Sequence, residues 1–220
     1  MQHIVITGGN KGIGLALVKQ YLAKGDQVSV ICRQPSPELA DLDVTLYSGA
    51  ELSESQKIKG VAAKFAENSI DVLINNAGIF CNETLDNFND ETILKQFQVN
   101  SIAPLLLSQQ LLGALKDGGK IAMITSRMGS IADNDSGNYY GYRMAKAALN
   151  AGSVSLANDL APRKISVGIY HPGYVQTEMV GFGGDISPDE AARRLTGLIS
   201  ELSPANSGKF YHSNGSELPW

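Results

Sequence analysis

Tyr142-Arg143-Met144-Ala145-Lys146 sets a phenol and an ammonium four residues apart. At that spacing the two side chains share one face of a helix, one turn from each other. A phenol ordinarily titrates near pH 10. An ammonium fixed beside it would favour phenolate and draw that value toward neutrality, where a general acid or base works best. The same spacing occurs by chance on many solvated helices, so its meaning depends on what the rest of the chain brings to it.

A second group of residues suits phosphate. His3-Ile4-Val5-Ile6-Thr7 is a short apolar run that passes directly into Gly8-Gly9-Asn10-Lys11-Gly12-Ile13-Gly14, and a helical pattern follows up to Gly25. Strand, glycine turn and helix in that order aim backbone N–H groups and a helix N-terminus at a pyrophosphate. Gln27 to Cys32 then reads as a second strand ending at Arg33. In dinucleotide folds the residue near that strand end meets the adenosine ribose. Cys32 and Arg33 stand there, Lys11 supplies another cation in the glycine loop, and no carboxylate is evident. Two cations suit a 2′-phosphate, so NADP(H) is expected over NAD(H). The plainer reading leaves Arg33 solvated at a strand edge.

These groups need a frame. Val44 to Tyr47 reads as a strand, and Ser53 as the cap of a helix reaching Glu67. Asp71 to Ile74 forms a buried parallel strand running into Asn75-Asn76-Ala77-Gly78. The stretch from Thr84 to Asn100 contains a helix, with a leucine-rich second one over residues 102–115. Residues 119–126 make a fifth strand ending on Ser126, and residues 164–170 a sixth running into His171 and Pro172. Ser187-Pro188-Asp189-Glu190 has capping-box spacing for a helix to about Leu202, and residues 208–212 close with a short strand. Alternating strands and helices predict one α/β domain over 1–220, a doubly wound Rossmann-type parallel sheet of about seven strands with helices on both faces. Right-handed crossovers would bring Thr7, Asn75, Ser126 and His171 to one sheet edge, where such folds bind ligands.

Composition excludes several other classes. The 220 residues carry a net charge of −4 and no basic run, which argues against a nucleic-acid partner. The two cysteines, Cys32 and Cys81, are too few for a disulfide framework and lack zinc-ligand spacing, and no metal site is expected among the three histidines. No apolar stretch reaches the roughly 18 residues of a membrane span. A strand begins within three residues of Met1 with no signal-peptide layout, so a cytoplasmic location is expected.

Taken together, these marks resemble the short-chain dehydrogenase/reductase family over nearly the full length. They are Thr7-Gly8-x-x-x-Gly12-Ile13-Gly14, Asn75-Asn76-Ala77-Gly78, Asn100, a serine after the fifth strand, Tyr142-x-x-x-Lys146, and Pro172-Gly173-x-Val175-x-Thr177. The Asn10-Lys11-Gly12-Ile13-Gly14 start and the Leu218-Pro219-Trp220 ending look like the subgroup of C-factor-like proteins and sniffer-like carbonyl reductases.

The resemblance implies that Tyr142 protonates a carbonyl oxygen as hydride arrives from a nicotinamide. It implies that Lys146 lowers the phenol's pKa and holds the nicotinamide ribose, and that Ser126 hydrogen-bonds the same oxygen. Asn100 would fix a water linking Lys146 to solvent. Gly8, Asn10, Lys11, Gly12, Ile13 and Gly14, with Arg33, Glu51 and Leu52, would line the adenosine and pyrophosphate side. Asn75, Asn76, Ala77 and Gly78, then Pro172, Gly173, Val175 and Thr177, would line the rest. A small carbonyl or alcohol substrate is implied, and a homodimer through the Ile102 and Tyr142 helices.

This chain departs from the family at several points. Ser126 lies sixteen residues before Tyr142, about three more than is usual, and Ser130, at twelve, is the rival. Glu51-Leu52-Ser53 stands where the family often has an adenine-contacting aspartate. The segment after Thr177 is a short lid. Trp220 is expected to bury its ring and anchor the tail, with a pocket or subunit contact as the alternative. The competing functional reading is a non-catalytic dinucleotide-dependent sensor on the same fold, since fold does not fix function.

Overall fold

The computed structural model describes residues 1–220. Their strands are β1 (His3–Thr7), β2 (Gln27–Ile31), β3 (Thr45–Tyr47), β4 (Ile70–Asn75), β5 (Leu115–Ile124), β6 (Ser166–His171) and β7 (Phe210–His212). All seven join one sheet in the order β3-β2-β1-β4-β5-β6-β7, and every pairing is parallel. The helices are α1 (Gly12–Ala23), α2 (Pro37–Ala40), α3 (Ser55–Ala62), α4 (Asp90–Phe97), α5 (Ala103–Gln110), α6 (Tyr140–Leu160) and α7 (Pro188–Glu201).

Parallel strands need crossovers, and the helices in those crossovers cover both faces, so the strands are apolar on both sides. Val5, Ile31, Leu73, Ile121 and Met123 pack toward Ile58 of α3, Leu107 of α5 and Leu149 of α6. Ile4, Ile6, Val30, Ile74 and Ile124 face Leu17 and Val18 of α1 and Leu195 and Ile199 of α7. Strand order reverses at β1, which sits between β2 and β4. That switch point opens a crevice at the carboxyl ends of the strands.

Local chemistry explains where the elements depart from the sequence expectations. Ser36 caps a one-turn helix at Leu39 N–H, 3.2 Å away, with Pro37 at its first position, in a stretch that had carried little signal. Ser53 does not cap α3; its hydroxyl donates to the Glu51 carboxylate at 3.1 Å, and the helix runs only to Ala62. The helix expected within residues 84–100 begins at Asp90, because the Asn89 side chain accepts from Thr92 N–H and Asp90 and Glu91 suit its positive end. α4 and α5 are joined by a π-helical turn, Gln98–Ile102, so the two helices form one rod. α5 stops at Gln110, since Leu115 already pairs with Ile70 as the start of β5. Ser187 caps α7 as its spacing indicates, but Glu190 pairs with Arg193 and Arg194 instead of closing the capping box.

Candidate active site

The glycine loop owes its shape to contacts no larger residue permits. A Cβ on Gly14 would lie 2.1 Å from Gly8 O and 2.6 Å from the Asn76 side-chain nitrogen. Thr7, at the end of β1, accepts N–H bonds from Asn76 and Ala77, both at 3.0 Å. The Asn76 amide donates back to Thr7 O at 3.0 Å. The two strand ends at the switch point are therefore stitched together. Lys11 stands at the N-cap of α1 without capping it, and the first turn holds no acidic residue. The orphan N–H groups and positive dipole end of α1 thus remain available to an anion.

A cavity of about 460 Å³ runs from this loop to Tyr142 and Lys146. It lies within the size range of small-molecule and cofactor sites. Its wall includes Gly8, Asn10, Lys11, Gly12, Ile13 and Gly14, then Arg33, Glu51 and Leu52, then Asn76, Ala77 and Gly78, with Pro172 and Thr177 opposite. Five expected residues are off that wall, Ser126 among them. Asn75 turns its amide to Ser108 Oγ at 3.1 Å, behind the sheet edge. Gly173 packs against Ile186, Val175 is buried beneath the lid, and Asn100 is occupied with the backbone.

Asn100 is buried in the π-helical turn, and its side chain clamps Ile79 in both directions. It accepts from Ile79 N–H and donates to Ile79 O, each at 2.8 Å. With its side chain so engaged, Asn100 holds the loop that follows β4.

α6 brings Tyr142 and Lys146 to the cavity on one face. Lys146 is buried and donates to Ile124 O at 2.9 Å, and its Nζ lies 5.7 Å from the centre of the Tyr142 ring. Burial pushes the Lys146 ammonium down to about 8. Burial pushes the Tyr142 phenol up to about 12, and the neighbouring Ser126 hydroxyl works against that rise. The expectation that Lys146 draws the phenol toward neutrality is therefore corrected. Desolvation outweighs the ammonium, which faces the ring and spends its hydrogen bond on a carbonyl.

Ser126 is the serine beside the phenol. Its Oγ also accepts from Met128 N–H at 3.1 Å, fixing the turn after β5. Ser130 is directed elsewhere, donating to the Trp220 main-chain oxygen at 3.0 Å. The extra residues between Ser126 and Tyr142 are accommodated in the exposed loop over 131–139.

Several contacts of the site had no sequence signal. Phe80 sets its ring edge-on to Tyr142, with centroids 4.9 Å apart. Glu178 pairs with Lys11 at 2.5 Å, and Glu51 lies 3.7 Å from Arg33. Each cation that argued for a 2′-phosphate thus has a carboxylate neighbour, which the sequence order concealed. Glu83 is buried, accepting from Thr92 Oγ1 at 2.6 Å, Gln96 Nε2 at 2.7 Å and the Gly141 N–H of α6 at 3.1 Å. It ties the start of the Tyr142 helix to α4.

A sequence model described as short chain dehydrogenase matches residues 2–184. The chain belongs to that family. Members of it are oxidoreductases built on this doubly wound sheet. Over 226 residues and the whole of both chains, the protein is 31% identical to 1-hydroxy-2-glutathionyl-2-methyl-3-butene dehydrogenase of Rhodococcus sp. strain AD45. Among solved structures it is similar to the carbonyl reductase Sniffer of D. melanogaster, with TM-score 0.94, 29% identity and full coverage of both chains. It is also similar to the NADPH-bound carbonyl reductase from chicken fatty liver, with TM-score 0.90, 31% identity, and coverage of 100% of this chain and 99% of that one. The sniffer-like resemblance read from the two ends of the sequence accords with these short-chain dehydrogenase relatives. No helix is long and apolar enough to cross a membrane.

Proposed function

We propose that the protein is an NADP(H)-dependent reductase of small ketones or aldehydes. The observation that carries this reading is a single cavity with an uncapped helix N-terminus at one end and Tyr142 beside the buried Lys146 at the other. The likeness to an NADPH-bound carbonyl reductase supports it.

The residues present fit a dinucleotide. The Gly8–Gly14 loop and the α1 N-terminus would hold the pyrophosphate, and Arg33, Glu51 and Leu52 the adenosine side. Lys146, Ala77 and Gly78 would hold the nicotinamide side. When bound, the cofactor supplies the hydride. Tyr142 holds the proton for the carbonyl oxygen; with its pKa pushed up, the phenol is a protonated donor at neutral pH, as reduction requires. Ser126 donates to the developing alkoxide and orients the phenol. Lys146 keeps a positive charge beneath the ring at neutral pH, favouring the phenolate left after proton transfer.

Consumption of NADPH across a panel of small ketones, aldehydes and quinones tests the reading. Turnover of at least one class supports it. Flat traces together with tight NADPH binding would favour a non-catalytic sensor.

A further inference from the structure

The closing segment, Glu217–Trp220, lies far in sequence from the catalytic residues yet is bonded to the loop that carries one of them. Leu218 N–H donates to Phe210 O at 2.8 Å, and the Trp220 ring, 48% exposed and not buried as expected, stacks on Phe210 with centroids 5.4 Å apart and planes 23° from parallel. The Trp220 main-chain oxygen then gathers three donors: Ile131 N–H at 2.8 Å, Ala132 N–H at 2.9 Å and Ser130 Oγ at 3.0 Å. Ser130 Oγ in turn accepts from Asp133 N–H at 3.2 Å, and Arg127 forms an ion pair with Asp133. Arg127, Ser130, Ile131, Ala132 and Asp133 are thereby held in one closed turn.

The other side of that turn presses on the catalytic helix. A Cβ on Gly129 would lie 2.7 Å from the Lys146 carbonyl carbon, and Gly129 O accepts from the Asn150 side chain at 3.4 Å. Gly129 N–H closes the turn on Ser126 O at 2.9 Å. Beyond Ser130 the loop is largely exposed, with Ile131 83% exposed, so little apolar burial holds it in place. A segment with so few buried contacts opens easily unless something ties it down.

We propose that the Glu217–Trp220 segment is a strut that clamps the turn over residues 126–133 against α6 and so positions Ser126 toward Tyr142. Trp220 acts here as a positioning residue. The inference rests on the carbonyl-reductase reading for its kinetic consequence, and on geometry alone for the clamp. A displaced donor loses catalysis steeply, because a shift of about 1 Å can cost up to a hundredfold.

The test is a double-mutant cycle on the full chain, because a strut acting through Ser126 has nothing left to position once that hydroxyl is gone. Trp220→Ala should lower kcat about tenfold with NADPH affinity unchanged, and Trp220→Phe should restore most of the loss by keeping the stack on Phe210. In a Ser126→Ala background the same Trp220→Ala change should alter kcat less than twofold. An equal loss in both backgrounds, or no loss in the parent, overturns the proposal. Amide hydrogen exchange reads the clamp without turnover. Ile131 and Ala132 should exchange at least tenfold faster in Trp220→Ala and in Ser130→Ala, and unchanged protection overturns the clamp even if the parent reduces no carbonyl. A parent with intact protection but no reductase activity would instead count against the functional reading.

Discussion

The Lys146 ammonium lies 5.7 Å from the centre of the Tyr142 ring, while its hydrogen bond goes to Ile124 O at 2.9 Å. Lys146 is buried and the phenol is largely desolvated, so each is pushed toward its neutral form: the lysine down to about 8, the phenol up to about 12. Lys146 is therefore the first of the two to lose a proton as the pH rises.

That sets the sign of a pH profile. Reduction needs the fully protonated pair, so kcat/KM should be flat below about pH 7 and fall about tenfold per unit above about pH 8. Oxidation of the alcohol needs a pair that has already lost one proton, so it should rise through the same range. Steady-state rates in both directions between pH 6 and 10 check this, and a reduction rate that climbs above pH 8 would contradict it.

In the proposed reading, cofactor choice turns on Arg33, with Glu51 3.7 Å away. A charge-assisted bond to a phosphate is worth about 1.5–3 kcal/mol, or roughly tenfold to a hundredfold. Arg33→Asp should lower the ratio of kcat/KM for NADPH over NADH by that factor. Glu51→Gln, which frees the guanidinium from its carboxylate neighbour, should raise it. Ratios unchanged in both variants would remove Arg33 from the recognition of the 2′-phosphate.

Glu83 gathers three donors in a buried site. Removing the acceptor leaves them unpaired, at about 1–3 kcal/mol each before water or rearrangement relieves them. Glu83→Ala should destabilise the fold by roughly 3 kcal/mol in urea unfolding. Glu83→Gln should recover part of that, because one amide oxygen remains to accept. A midpoint unchanged in Glu83→Ala would mean that the start of α6 is held by other contacts.

The parts of the site that were legible in the sequence are the locally encoded ones. Gly8 to Gly14 must pass from strand to helix within seven residues, and Tyr142 and Lys146 sit one helical turn apart, so spacing alone carried them. The seven-strand parallel sheet was legible for a related reason, since each crossover writes an apolar strand beside an amphipathic helix. What spacing did not reveal are polar partners far apart in the chain. Glu178 meets Lys11 across 167 residues, Trp220 meets Ser130 across 90, and Glu83 reaches Gly141 across 58. Ser130, the rival of Ser126, is engaged by Trp220 through the same kind of long-range bond. The phenol's acidity was misjudged because the sequence showed a neighbouring cation but not the desolvation around the phenol.

The most direct measurement is the turnover of Tyr142→Phe beside its affinity for NADPH. This change removes one hydroxyl and keeps the ring that packs on Phe80. A general acid contributes about 10²–10⁴ in rate. The account predicts a loss of kcat of about a thousandfold with NADPH affinity within twofold of the parent. A variant that still turns over carbonyl substrate at the parental rate would contradict it.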